Sequence, residues 1–311
     1  MKINIDDIEK LEIANLGIEY WNDIFQNVKY NVNQIIKDNL AHMYLKYPIE
    51  IDFYLNQNIK NDPNAYAEKI SDRKYNIHIG RKLLIVINHY SYKIIDEKLI
   101  FKDIKRSEEN KEILLNLASS IFYYWMDFIC LHEWFHITRG HLEYYNKPYY
   151  EFNILSEQNE EDIFFEVDAD RFAMNVIAKK LASNMKNLKT IIKEEDKVLI
   201  KNFTMAMMYL FHIFFLLNDK NIRGSHPSPL ERINIIPPSI AESMHNQNTF
   251  TIPENELYKL LMDNVSLFIS KHGKEYNVNI EEYKTNFLKL LDNYLLFKKE
   301  KKIEENQLLK K

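Results

Sequence analysis

Residues 121–141 read Ile-Phe-Tyr-Tyr-Trp-Met-Asp-Phe-Ile-Cys-Leu-His-Glu-Trp-Phe-His-Ile-Thr-Arg-Gly-His. Large apolar residues lead into His132-Glu133-Trp134-Phe135-His136, and no helix breaker intervenes before Gly140. An inner helix requires that composition. On a helix, residues at i and i+4 share one face, so the imidazoles of His132 and His136 can reach a single ion. Glu133 is displaced by roughly 100° and can reach a water at the ion's open position without ligating it. Zinc lowers the pKa of such a water to about 7, where a neighbouring carboxylate can take its proton. With ten histidines in the chain, the pattern arises by chance in roughly 3% of sequences of this length and composition. The apolar setting weighs more than that figure. The stretch predicts one bound zinc ion, with His132 and His136 as ligands and Glu133 as general base.

A catalytic zinc needs a third protein ligand. His141, Glu166 and Asp168 are the downstream candidates. His141 stands nine residues after His132, and the metzincin pattern wants Gly and His where Arg139 and Leu142 are found. Glu166 opens Glu166-Val167-Asp168-Ala169-Asp170, between the apolar runs Ile163-Phe164-Phe165 and Phe172-Ala173-Met174. Carboxylates on an apolar helix are costly unless paired or bound to metal. Glu166 and Asp170 share a face, so Glu166 is the expected ligand. Asp170 is then placed to hold a ligand histidine by its second ring nitrogen. The competing reading is a solvent-facing acidic stripe.

Glu-x-x-x-Asp after His-Glu-x-x-His is the gluzincin arrangement. The string from His132 to His141 resembles the CAAX prenyl protease 1/HtpX family of metallopeptidases, whose catalytic helix often ends in Gly-His. Glu166-Val167-Asp168-Ala169-Asp170-Arg171-Phe172-Ala173 is similar to that family's Glu-x-x-Ala-Asp-x-x-Ala signature. Ser225-His226-Pro227-Ser228-Pro229-Leu230-Glu231-Arg232-Ile233 resembles its His-Pro…Arg-Ile motif. Asn64-Ala65-Tyr66-Ala67, with the following Tyr75–Ile79 and Gly80, resembles its Asn-Ala-Phe-Ala segment. The resemblance covers residues 64–234. It implies peptide-bond hydrolysis, with His226 stabilising the oxyanion and Arg232 ordering the site. An imidazolium donor to a developing oxyanion is sensible chemistry. Trp134-Phe135 is bulkier than the family's common Leu-Gly, and clear transmembrane helices are lacking. Those departures point to a soluble relative, with the Lit-type phage-exclusion peptidases as the first branch to compare.

The wider chain is consistent with an enzyme. Its 311 residues are 46% hydrophobic and 28% charged, with a net charge of -4. That charge gives no reason to expect nucleic acid as partner. Five glycines and eight prolines argue against an all-β protein. A single cysteine, Cys130, reads as a buried thiol. Met1–Glu12 has no apolar signal core, so a cytoplasmic location is expected. Phe203–Leu217 is the most hydrophobic run. At about 15 residues against the ~20 a span needs, it reads as a core helix, and membrane association is not favoured.

The expected fold is α+β and predominantly helical: a zincin-like domain with a small sheet, from about residues 70 to 105, packed on the helix of His132. Tyr75–Ile79 alternates as a strand does, Leu83–Ile87 is a short β-branched run, and Tyr92–Ile104 offers a further strand. Pro227, Pro229, Pro237 and Pro238 suggest an irregular crossing. Residues 139–159 read as a loop and a lid candidate. We expect a peptidase domain over 1–245 and a helical extension over 246–311. The expected partner is a polypeptide substrate, and oligomeric state is left open. The alternative is a catalytically idle, zinc-stabilised binding or regulatory module. Glu133 argues against that, because a structural zinc site is closed and needs no base.

Overall fold

Alternation in Lys74–Gly80 builds the centre of the sheet. Tyr75, Ile77 and Ile79 are buried, while the residues between them are half-exposed. In the computed structural model, which describes residues 17–46, 49–57, 64–142, 160–192, 195–217, 229–245, 252–276 and 289, this strand is β3. β1 (Glu50–Asn56) pairs with it in parallel and β2 (Ala65–Ser71) antiparallel, giving the order β1-β3-β2. Ala67 and Phe53 flank Ile77 in register. The sheet therefore lies over residues 50–80, upstream of the expected 70–105.

Two compact units make up the fold. The first holds the described residues of Met1–Ser156 with Leu216 and Leu217; the second holds those of Glu157–Phe215 and Ser225–Gln307. In the first, α1 (Ile18–Lys46) buries Trp21, Phe25, Val28, Val32 and Ile35 along one stripe. Steps of three and four residues place them there.

α2 (Arg81–Asp96) corrects the strand reading of Leu83–Ile87. All five of those residues are buried in a helix. A short run of buried aliphatic residues carries no period, so burial alone suits a strand or an inner helix equally. Tyr92–Ile104 supplies no strand either. The chain leaves α2 through positive φ at Lys98 and Phe101. Arg106 then donates to the carbonyls of Ile95, Phe101 and Ile104, spending acceptors that a sheet ladder would need.

α3 (Lys111–Thr138) carries the motif and is buried almost without interruption from Leu117 onward. It packs on α2, α1, β2 and β3, so the expected sheet-on-helix packing holds with the sheet moved upstream. Ala65 and Ala67 are the buried residues of β2. Their small side chains let the strand approach the helix closely.

In the second unit, α4 (Glu160–Ile192) packs against α6 (Pro229–His245), and α6 against α7 (Glu254–His272). α5 (Asp196–Leu217) is tied to α7 by Asn264, which donates to the Lys201 carbonyl. Pro237 and Pro238 lie inside α6, so this part of the proline-rich stretch is helix and not the irregular crossing expected. Each interior proline costs about 3 kcal/mol. The helix offsets that by burying Ile233, Ile236, Ile240 and Met244, each worth about 1.5–3 kcal/mol. Residues 143–159 of the expected 139–159 loop and lid lie outside the described residues.

Two stretches, Glu108–Thr138 and Asp196–Leu217, are long and apolar enough to cross a membrane. The helix around Phe203–Leu217 reaches 22 residues because it begins at Asp196. Of the most apolar windows, 61% and 72% is buried within the protein, as in helices that form a core.

Candidate metal centre and active site

The last two turns of α3 bury His132, Glu133 and His136 together. The Nε2 atoms of His132 and His136 lie 3.0 Å apart, with the rings edge to face at 4.7 Å between centroids. Two nitrogens bound tetrahedrally to one zinc, each at about 2.0–2.1 Å, would be about 3.4 Å apart. The pair thus converges to nearly the separation one ion demands, and two imidazoles are suitable zinc donors. Helix pitch alone brings this half of the site together.

His136 is also held from behind. Its Nδ1 lies 3.0 Å from Nδ1 of His141, while its Nε2 faces His132. α3 ends here: Arg139 N–H bonds the Phe135 carbonyl and Gly140 N–H the Ile137 carbonyl. Gly140 then takes φ 74°, a left-handed value that glycine adopts without a Cβ penalty. That turn folds His141 back against His136. As a positioning partner His141 was missed in the sequence, where it was weighed only as a ligand. The signal was Gly140 directly before it.

Cys130 is buried and free. Burial pushes its thiol well above the usual range, and the charges of Asp127 and Glu133 push it further. It stays a protonated thiol.

In the second unit, α4 buries Glu166, Asp168 and Asp170 completely or nearly so, which disposes of a solvent-facing stripe. Asp170 accepts two hydrogen bonds from Arg232 of α6, from Nε at 2.7 Å and from a terminal nitrogen at 2.6 Å. The guanidinium lies 4.8 Å from the centre of the Phe211 ring. A planar fork on a carboxylate fixes direction as well as charge. The structure thus joins two sequence-chosen residues, 62 positions apart. It also joins His132 to His136. His226 lies outside the described residues.

A buried His-Glu-x-x-His turn in a predominantly helical α+β fold is the equipment of a peptidase. Comparison with protein families matches residues 60–246, more than half of the chain, to Peptidase U49. The chain belongs to the Peptidase U49 family. No curated protein and no solved structure matches it.

Proposed function

We propose that this peptidase is a zinc-dependent endopeptidase of gluzincin type, acting on an intracellular protein. His132, His136 and Glu166 hold one zinc ion, and Glu133 serves as general base. The observation that carries the reading is the 3.0 Å convergence of His132 and His136 on a buried helix end, with Glu133 next to His132. The burial of Glu166 on an apolar helix supports it as third ligand, since a buried carboxylate is costly unless paired or bound to metal. Two imidazoles and a carboxylate are the ligands of many catalytic zinc sites.

A zinc ion, when bound, supplies Lewis-acid chemistry, acidifying water and polarising the scissile carbonyl. Glu133 takes the proton of the attacking water and passes it to the departing amine. His226 donates to the developing oxyanion. The Arg232–Asp170 pair holds the acidic helix in register. An edge strand of the sheet pairs with an extended substrate backbone.

At the finer level of kinship we favour the CAAX prenyl protease 1/HtpX metallopeptidases, and within them the soluble Lit-type branch. Glu166–Ala173 and His226–Ile233 support this. The peptidase domain then runs over 1–245, with residues 246–311 as a helical extension.

The test compares wild type with Glu133→Gln for zinc content and for cleavage of a mixed protein substrate. Both proteins should hold about one zinc at His132, His136 and Glu166, while cleavage falls by roughly 10²–10⁴-fold in the variant. Metal in both and cleavage in neither would favour the idle module. No zinc in the wild type would overturn the proposal.

A further inference from the structure

α5 and the end of α7 bring a second set of histidines together, far in sequence from His132. His212 is wholly buried in α5, and His272 is the last residue of α7. Glu275 follows in a turn closed by Glu275 N–H on the His272 carbonyl and Gly273 N–H on that of Ile269. A Cβ on Gly273 would stand 2.6 Å from the Ile269 carbonyl oxygen, so only glycine allows a turn this tight.

Each histidine holds one ring nitrogen on a tyrosine and aims the other at the same carboxylate. Nδ1 of His212 lies 2.6 Å from the Tyr276 hydroxyl, and its Nε2 lies 3.6 Å from Glu275 Oε2. Nε2 of His272 lies 3.2 Å from the Tyr209 hydroxyl, which also accepts from Lys271; its Nδ1 lies 3.2 Å from Glu275 Oε1. Metal-ligating histidines are oriented in this way, by a hydrogen bond at the nitrogen that does not ligate.

A plain hydrogen-bonded pin leaves a fault in this arrangement. Among the described residues, His212 Nε2 is buried with no hydrogen-bond partner. If Nε2 carries the proton, its nearest acceptor in this cluster, Glu275 Oε2, stands 3.6 Å away, too far for a full hydrogen bond. If it does not, a lone pair faces a carboxylate, an arrangement that a cation between them would relieve.

We propose that His212, His272 and Glu275 form a second metal site, for a borderline transition-metal dication such as Zn²⁺ or Co²⁺, that clasps the end of α7 to α5. One ligand atom from each residue lies within 4.8 Å of the other two. A metal at about 2.0–2.1 Å from each nitrogen requires them to close by roughly 1 Å, and the half-exposed side chain of Glu275 has room to move. Burial lowers the pKa of both rings, that of His212 to about 3. Nitrogen donors disfavour Ca²⁺ and Mg²⁺, which take oxygen ligands. The C-terminus of α7 adds negative potential. Phe268 and Phe215 lie against the His212 ring, at 5.9 and 6.4 Å between centroids.

Equilibrium dialysis of Co²⁺ against the full chain, at micromolar free metal, tests this with wild type and Glu275→Gln. Glu275 is partly exposed, so the variant is expected to fold, and circular dichroism checks it. One equivalent of Co²⁺ should bind at least tenfold more weakly in Glu275→Gln, with loss of a visible ligand-field band. His132→Gln/His136→Gln should still bind one equivalent, which separates this site from the catalytic proposal. Unchanged Co²⁺ binding in folded Glu275→Gln, or none in the wild type, overturns the second site.

Discussion

At the scale of single residues, two buried contacts can be tested one by one. Asp170 and Arg232 form a bidentate pair with side chains 1% and 10% exposed. Removing one partner of a buried pair strands the other charge, at about 3–5 kcal/mol. Asp170→Asn should therefore lower the free energy of urea unfolding by that order. Asp170→Leu/Arg232→Met should recover much of the loss, and a double variant no better than the single would refute the pairing as the cause. The second contact is His141 on Nδ1 of His136. Such outer partners are worth about 10–100-fold in metal affinity. His141→Phe should weaken zinc binding by that factor in a chelator competition while leaving helix content unchanged. An unaltered affinity would reduce His141 to a packing residue.

Among the elements, β2 is the one most constrained by its neighbour. Its buried positions, Ala65 and Ala67, are small because α3 packs against this strand, and Ala67 also sits opposite Ile77 in the sheet. Extra methylenes in a filled interior cost about 1–3 kcal/mol. Ala67→Leu should lower stability by that amount and reduce zinc affinity by shifting α3, whereas Glu68→Gln on the other face of β2 should do neither. Equal effects from both variants would mean that β2 does not position the helix. α6 makes the complementary point: its buried isoleucine face holds a helix through two consecutive prolines.

For the whole molecule, the open question is where so much apolar helix resides. Two stretches meet the length and hydropathy of a membrane span, yet most of each is buried in the protein. Side chains already packed against protein gain little from lipid. We expect the expressed chain in the supernatant after detergent-free lysis and ultracentrifugation. Recovery only with detergent would indicate a membrane-seated enzyme.

The sequence by itself determined what depends on near neighbours. His132, Glu133 and His136 were legible because helix pitch puts positions i and i+4 on one face whatever surrounds them. β3 was legible because alternation in Tyr75–Ile79 states which side is buried. The mainly helical α+β class follows from the same local patterns, and the match over residues 60–246 accords with a peptidase. Tertiary structure alone decided the rest. Leu83–Ile87 became helix because burial on every side erases the period that separates helix from strand. Asp170 found Arg232, and His212 found His272 and Glu275, some 60 residues away along the chain. No local pattern encodes such pairs, because they exist only where packing removes water and a buried polar group must take the partner that folding brings.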